Sequence, residues 1–173
     1  MDERHAHTAH TAIDIVRGYR PGAIGRIVEM HAEYYSDNWG FGVFFESKVA
    51  TELSAFLRRY DPATDGLWTV AAPGPGIVGS IVVDGGEGRG APAHLRWFIL
   101  APAARGRGIG QRLLAHAVDF GRAKGFPGIY LWTFAGLDAA RRLYEAAGFT
   151  LCEELADDQW GKIVTEQKFS LDF

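Results

Sequence analysis

The stretch from residue 97 to residue 114, WFILAPAARGRGIGQRLL, joins an apolar run to a helical pattern through a loop with three glycines and two arginines. Glycine inside a helix costs about 1 kcal/mol against alanine, so glycines at a helix start need another reason. The first turn of a helix offers unpaired N–H groups and the positive end of the helix dipole. A loop of bare backbone can therefore bind a phosphate or pyrophosphate there, and Arg105 and Arg107 would add charged hydrogen bonds.

The spacing of these glycines excludes two common nucleotide-binding motifs. A Walker A loop requires Gly-Lys-Ser or Gly-Lys-Thr, and neither occurs in the chain. A dinucleotide fingerprint requires G-x-G-x-x-G, and in the two available registers its third glycine falls at Gln111 or at Leu113. The pattern that fits is [QR]-x-x-G-x-[GA]. Arg105, Gly108 and Gly110 fill its three fixed positions, directly after an apolar strand.

Outward from the loop, apolar periodicity predicts the element order β-α-α-β-β-β-α-β-α-β-β. Gly125 is expected to end the helix after the loop, Asp138 to cap the next one and Gly148 to follow its end. Early hairpins followed by crossover units indicate a mixed α/β sheet. Strands are predicted near 13–19, 67–73, 77–83, 94–100, 129–134, 149–155 and 162–171, and helices near 23–35, 44–60, 109–124 and 139–147.

Length and composition limit the classes of function. The 173 residues suffice for one domain, predicted over 13–173 after a mobile tail over 1–12. A formal net charge of -3 gives no general attraction to nucleic acid or to an anionic membrane. One cysteine cannot form an intramolecular disulfide, and no leader or long apolar run is visible, so we expect a cytoplasmic protein. No metal site is predicted.

With these motifs the chain resembles the GNAT superfamily of N-acetyltransferases. WFILAPAARGRGIGQRLL is similar to the family's strand, loop and helix, and AARRLYEAAGF to its later helix, which ends in L-Y-E-x-x-G-F. In appearance it is closest to acetyltransferase domains fused behind MarR-type regulators, which share RPG, LWT and AARRLYE. The resemblance extends from about Ile13 to the end, and it implies a single-domain GNAT fold, a mixed and mostly antiparallel sheet of about seven strands with about four helices, and acetyl-CoA as cofactor.

The resemblance also implies a set of cofactor-binding and catalytic residues. The backbone of Phe98, Ile99 and Leu100 would pair with the pantetheine arm, and the Leu100 amide would face the thioester oxygen. Tyr144 matches the family tyrosine near the sulfur, which serves as general acid; a phenol is protonated at neutral pH. The alternative is that Tyr144 is an ordinary core tyrosine of its helix. The pyrophosphate would be held by Arg105, Gly106, Arg107, Gly108, Ile109 and Gly110.

One position departs from the family pattern. Many relatives carry an asparagine three residues before the alanine that matches Ala140, where it contacts the cofactor, and here that residue is Leu137. The departure is compatible with a changed acceptor geometry, or with a protein that binds acyl-CoA without fast transfer.

The acceptor side is predicted around the aromatic stretch between the first two helices. Trp39 is expected in a loop, where it would bind the acceptor together with Tyr34 and Glu33. Glu33, Glu46 and His94 are the candidates for the base that deprotonates the amine, and Glu46 is the one we select. Water could replace a base altogether.

Two functions remain open at this point. The first is acetyl-CoA-dependent acetyl transfer to a primary amine of a small molecule or peptide, with no nucleic acid or membrane as partner. The second is an acyl-CoA-binding regulatory or interaction module with little catalytic activity, which Leu137 and the likeness to regulator-fused domains favour. A homodimer is also open, since the last strand could pair between subunits.

Overall fold

The computed structural model describes residues 13–74, 76–86 and 88–173, and the predicted tail over 1–12 lies outside them. Within this part of the chain, the predicted element order is confirmed, with seven strands, four helices and one added 3₁₀ turn. The strands are β1 Asp14–Arg17, β2 Gly66–Ala72, β3 Gly76–Asp84, β4 Ala93–Leu100, β5 Gly128–Phe134, β6 Thr150–Asp157 and β7 Val164–Asp172. The helices are α1 Ala23–Trp39, α2 Val43–Arg58, α3 Ile109–Lys124 and α4 Asp138–Ala146, and the 3₁₀ turn is Pro102–Ala104.

The strands form one sheet in the order β1-β2-β3-β4-β5-β7-β6. Only β4 and β5 pair in parallel, and every other neighbouring pair is antiparallel, which confirms the predicted mixed and mostly antiparallel sheet. The suggestion that the last strand could pair between subunits is wrong, because β7 lies between β5 and β6 and is paired on both sides. The two outer strands of the sheet are β1 and β6.

Apolar side chains cover both faces of the sheet. On one face, α3 packs Leu113 and Leu114 into a cluster that includes Leu131 of β5. On the other face, α1 and α2 contribute a second cluster around Ile27 and Leu53. Because side chains alternate along a strand, each central strand supplies residues to both clusters.

The first helix is longer than the sequence predicts, and this corrects the position of Trp39. The N–H of Gly40, whose φ is 65°, donates to the carbonyl of Ser36 at 2.9 Å and closes the last turn of α1. Trp39 is therefore helical and does not lie in a loop. The connection to α2 is only three residues long, 40–42.

The ends of the later helices are mostly as predicted. Gly125 ends α3 with a φ of 76°, and Gly148, with a φ of 94°, follows the end of α4. Asp138 is the first residue of α4 and not its cap; Leu137 holds the cap position without a side-chain hydrogen bond. No helix among the described residues has the length and apolar character needed to cross a membrane.

Candidate functional site

The site begins where β4 and β5 diverge. The two strands pair only at Ala93 with Ile129 and at His94 with Tyr130. Beyond these pairs β4 continues through Leu100 without β5 beside it, because a bulge bends it. Backbone groups that a neighbouring strand would normally satisfy are therefore available to an extended ligand in this gap.

The bulge is located at Trp97. The register between β3 and β4 shifts between Ser80 and Val82, and Trp97 has a φ of 45°, the one positive φ outside glycine among the described residues. A bulge places an extra residue in one strand and increases its local twist, which turns the end of β4 away from β5. The hydroxyl of Ser80 donates to the Trp97 carbonyl at 2.7 Å in a buried position. This bond satisfies a carbonyl that the shifted β3–β4 pairing leaves without a backbone partner.

A cleft of about 540 Å³ lies on the α3 and α4 side of this gap. Its floor is the end of β4, one wall is the glycine loop with the start of α3, and the other wall is α4. Two tyrosines of α1 close one end. The lining residues are Tyr34, Tyr35, Phe98, Ile99, Leu100, Arg105, Gly106, Gly108, Ile109, Gly110, Gln111, Leu137, Ala139, Ala140, Arg142, Leu143 and Ala146.

The glycines of the loop serve two different purposes. Gly106 and Gly108 have φ values of 70° and 71°, in the left-handed region, and a Cβ atom on either would meet no atom within 4 Å. Gly110 is helical, and a Cβ there would lie 3.1 Å from Leu143 Cδ1. The first two glycines therefore shape the loop, and the third permits close contact between α3 and α4.

The start of α3 has the features of an anion site. Gly108 is the cap residue of α3, and no side chain caps this helix. The N–H groups of the first turn are therefore not occupied by a side chain. Arg105 folds back over the cleft: its Nε donates to the Leu100 carbonyl at 2.9 Å, and its guanidinium carbon lies 4.7 Å from the centre of the Tyr34 ring. Arg107 is exposed and does not line the cleft.

The structure thus brings together eight of the nine residues predicted to bind the cofactor. The strand residues, Arg105, Ile109 and the glycines all line one cleft, and the exposed Arg107 does not. Leu137 also lines this cleft and is 9% exposed, so the departure from the family pattern lies at the predicted cofactor site.

A second cavity of about 490 Å³ lies mainly on the α1 and α2 face of the sheet and reaches through the gap between β4 and β5. Tyr35 and Phe98 line both cavities, so the two meet there. The lining residues are His31, Tyr35, Phe45, Lys48, Val49, Glu52, His94, Leu95, Arg96, Trp97, Phe98, Leu131, Trp132, Thr133, Phe134, Tyr144, Gln159 and Trp160.

Tyr144 reaches this junction from α4. Its ring is 6% exposed and has the rings of Phe98, Phe149 and Phe169 about 6 Å from its centre. Burial raises the pKa of Tyr144 well above its ordinary value, and burial raises that of Tyr35 in the same way, with a further contribution from the nearby Tyr144. Both phenols therefore keep their protons at neutral pH.

The residues predicted for the acceptor side are not gathered at this cavity. Tyr34 lines the first cleft instead. Trp39 is half-buried and packs edge-on against Phe134, with 5.2 Å between ring centres, and it lines neither cavity. Glu33 and Glu46 are exposed on α1 and α2 and line neither cavity.

The sequence reasoning missed the charged groups of the second cavity. Lys48 Nζ lies 2.6 Å from one carboxylate oxygen of Glu52, one turn later on α2, and the other oxygen accepts from Arg96 of β4. The helical spacing of Phe45, Val49 and Leu53 already predicted which face of α2 is buried, and Lys48 and Glu52 flank that face. Gln159, in the loop between β6 and β7, gave no such signal, whereas Trp132 and Trp160 were expected to add to the aromatic acceptor side and do line this cavity.

Two histidines of the second cavity are uncharged at neutral pH. Burial lowers the pKa of His31 to about 4, against the opposing effect of its hydrogen bond to the Ile27 carbonyl. Burial, together with Arg96, lowers the pKa of His94 to about 3. His94 also stacks on Tyr130, with ring centres 4.4 Å apart.

Comparison with known families identifies the same segment that carries the site. Residues 24–149, which are more than half of the chain, match the model of the acetyltransferase (GNAT) family. One curated relative is N-alpha-acetyltransferase 40 of Saccharomyces cerevisiae, 47% identical over 57 residues that cover 29% of this chain and 20% of the relative. Another is mycothiol acetyltransferase of Cellulomonas flavigena, 38% identical over 81 residues that cover 46% of this chain and 22% of the relative. The matched segments span about a fifth of the length of these curated relatives.

Solved structures share the fold over nearly the whole chain. An acetyltransferase of the same family from Staphylococcus aureus Mu50 superposes with a TM-score of 0.73 at 18% identity, covering 93% of this chain and 99% of that one. The yncA protein of Salmonella typhimurium, solved with its cofactor acetyl-CoA, gives a TM-score of 0.65 at 16% identity, covering 92% and 94%. At these identities the likeness concerns the fold alone.

Proposed function

Because the chain belongs to the GNAT acetyltransferase family, we propose that it transfers the acetyl group of acetyl-CoA to a primary amine of a small molecule or peptide. The observation that carries the proposal is the junction at Tyr35 and Phe98, where a cleft ending in an anion-binding loop meets a second cavity. One cavity fits a long phosphorylated donor and the other an amine acceptor. Acetyl-CoA supplies an acetyl group that is activated as a thioester.

The residues of the first cleft fit acetyl-CoA. Arg105 and the N–H groups at the start of α3 would hold its pyrophosphate, because both supply donors and positive potential. The backbone of Phe98, Ile99 and Leu100 would pair with the pantetheine arm in the place that β5 leaves open. This arrangement directs the reactive end of the cofactor toward the junction.

At the junction, the chain's own groups would exclude water and move one proton. Tyr144 is buried, and its raised pKa keeps the phenol protonated, so it can donate to the departing thiolate. Tyr35 supplies a second protonated phenol from the opposite side. The position of Glu46 does not support its predicted role as base, since it is exposed and lines neither cavity. The proton that the attacking amine loses would then pass to water.

The alternative, an acyl-CoA-binding module with little activity, rests on Leu137 and on the likeness to domains fused to MarR-type regulators. That likeness stays a prediction from the sequence, as does a cytoplasmic location. Leu137 removes a polar group from the cleft but leaves the anion-binding loop and the junction in place. We therefore favour catalysis.

Two measurements on the purified protein test the proposal. Calorimetry with acetyl-CoA should show binding, and a thiol-release assay across a panel of amines should show turnover on at least one class. Binding without turnover on any amine would favour the regulatory module, and absence of binding would contradict both functions.

A further inference from the structure

The side chains that line the second cavity carry more positive than negative charge. Lys48, Glu52 and Arg96 are the charged residues of its lining among the described residues, which leaves one net positive charge. His31 and His94 do not alter this sum, because the lowered pKa of each keeps it neutral. Behind the lining, Asp84 lies 3.5 Å from Arg96 Nη1, and Asp84 and Asp65 share one cation, Arg59. Glu166, which is held by Gln159, and Lys168, which lies over the Trp132 ring, have opposite charges, so the positive excess is confined to the lining.

Both oxygens of Glu52 already accept hydrogen bonds from cations of the protein. Lys48 occupies one oxygen at 2.6 Å and Arg96 occupies the other. The nearest further carboxylate, Asp84, accepts from Arg59 on both oxygens at 2.6 Å and lies 3.5 Å from Arg96 Nη1. A carboxylate has about four acceptor sites, an ammonium three donors and a guanidinium five, so the larger unused hydrogen-bonding capacity lies with Lys48 and Arg96.

The three tryptophan faces of the cavity are also occupied by the protein's own cations. Arg96 lies 4.1 Å from the centre of the Trp97 ring, and Lys48 Nζ lies 5.8 Å from that of Trp160. Lys168 Nζ lies 5.6 Å from the centre of the Trp132 ring. A second positive charge on the ligand could bind a tryptophan face, the most favourable aromatic face for a cation, only by displacing one of these contacts.

From this pattern we infer that the acceptor is a small amine that also carries a carboxylate, an apolar α-amino acid being the class that fits best. The carboxylate would take the free donors of Lys48 and Arg96, the apolar side chain would lie against the tryptophans, and the amine would point to the junction. The inference rests on the proposed function, since it names the substrate class of that site. It excludes polyamines as the preferred acceptors.

The first test compares acceptors that differ in one group. Leucine and isoamylamine share an apolar side chain and an amine, and only leucine has the carboxylate. With acetyl-CoA as donor, we expect kcat/KM for leucine to exceed that for isoamylamine at least tenfold, and spermidine to be no better than isoamylamine. Equal values for the first pair, or a preference for spermidine, would overturn the inference while leaving the proposed function intact.

The second test reverses the charge at Lys48. In Lys48→Glu, we expect the ratio of kcat/KM for leucine to that for isoamylamine to fall at least tenfold. A ratio measured within one variant is insensitive to the fraction of protein that folds. Lys124→Glu, at the far end of α3, makes the same charge change outside both cavities and should leave the ratio unchanged. An unchanged ratio in Lys48→Glu would overturn the inference.

Failure of the proposed function gives a separate result. If acetyl-CoA bound but no amine were acetylated, the acceptor class would be read from calorimetry of leucine and isoamylamine with the CoA-loaded protein. Selective binding of leucine that Lys48→Glu abolishes would uphold the inference. No binding of leucine would overturn it.

Discussion

The hydroxyl of Ser80 on β3 donates a 2.7 Å hydrogen bond to the carbonyl oxygen of Trp97, the residue at which β4 bulges. Both residues are buried, and no other non-glycine residue among those described has a positive φ. The pair thus stabilises a backbone conformation that would otherwise be strained, and this conformation separates β4 from β5. The gap that is proposed to hold the cofactor therefore depends on a contact made on the opposite side of β4.

Replacement of Ser80 by alanine should weaken both the fold and cofactor binding. The Trp97 carbonyl would lose a buried donor, at a cost of about 1–3 kcal/mol in the free energy of unfolding. Urea unfolding should show this loss, and calorimetry should show a higher Kd for acetyl-CoA. Ser47→Ala, on the exposed side of α2, should change neither quantity. A destabilised Ser80→Ala protein with an unaltered Kd would show that cofactor binding does not depend on the bulge.

Alanine at Gly108 should impair acetyl-CoA binding more than it impairs folding. A left-handed conformation costs an alanine about 1–2 kcal/mol, and the strain is relieved by moving the loop that carries the N–H groups. Gly22 offers a matched control: it is the cap of α1, its φ is 88°, and a Cβ there also meets nothing within 4 Å. Both variants should lose similar stability, but only Gly108→Ala should raise the Kd, by about tenfold. An equal Kd for the two variants would argue against the loop as the pyrophosphate site.

Tyr144→Phe should retain cofactor affinity and lose turnover. Removal of a general acid typically costs about 100-fold or more in rate, whereas the ring itself is preserved. Because burial raises the pKa of Tyr144, the wild-type rate should not fall on the alkaline side through loss of this proton until the pH exceeds about 10. Tyr19→Phe, at an exposed residue, is the control. An unchanged kcat would identify Tyr144 as a core tyrosine.

The sequence predicted most residues of the floor and one wall of the first cleft because these parts are local in the chain. A strand, a glycine loop and the start of a helix follow one another between Phe98 and Gly110, and each step leaves its own pattern of apolar residues or glycines. The element order followed from the same periodicity. The bulge at Trp97 left no such signal, since Trp97 is not a residue type that favours a positive φ.

The second cavity could not be predicted in this way because distant segments assemble it. The contact between Glu52 and Arg96 joins residues 44 positions apart, and Gln159 and Trp160 arrive from a loop near the other end of the chain. The aromatic stretch drew attention to Trp39 because asparagine and glycine beside it are typical of loops. In the structure the helix continues through Asn38 and ends at Trp39, with Gly40 as its cap, and the half-buried Trp39 packs against Tyr34, Tyr35 and Phe134.

Two tryptophan variants should therefore behave differently. Trp39→Ala should lower the free energy of unfolding by about 3 kcal/mol, because Trp39 packs against Tyr34, Tyr35 and Phe134. Trp160→Ala should instead raise the KM for the amine severalfold, because Trp160 lines the second cavity. Thermal unfolding and steady-state kinetics on both variants measure the contrast. A raised KM in Trp39→Ala, with unchanged stability, would support the prediction that Trp39 binds the acceptor.

Stability should fall as the pH drops below about 6.5, because two cavity histidines resist protonation in the folded state. Burial lowers the pKa of His31 to about 4 and that of His94 to about 3, whereas in the unfolded chain both take up a proton near their ordinary value of 6.5. The unfolded state thus binds more protons in this range, and each histidine removes up to about 1.4 kcal/mol per pH unit. The loss should continue down to the native pKa of each group.

Urea unfolding at about pH 7 and about pH 5 measures this effect. In the double variant with His31→Gln and His94→Gln, the difference in unfolding free energy between the two pH values should shrink by at least half. The carboxylates remain in both proteins, so their protonation cancels in the comparison; Asp84 is one of them, its pKa lowered by Arg59 despite burial. His116→Gln, at an exposed position of α3, should keep the full difference. If the double variant also kept the full difference in unfolding free energy, groups other than His31 and His94 would be responsible for the loss of stability at low pH.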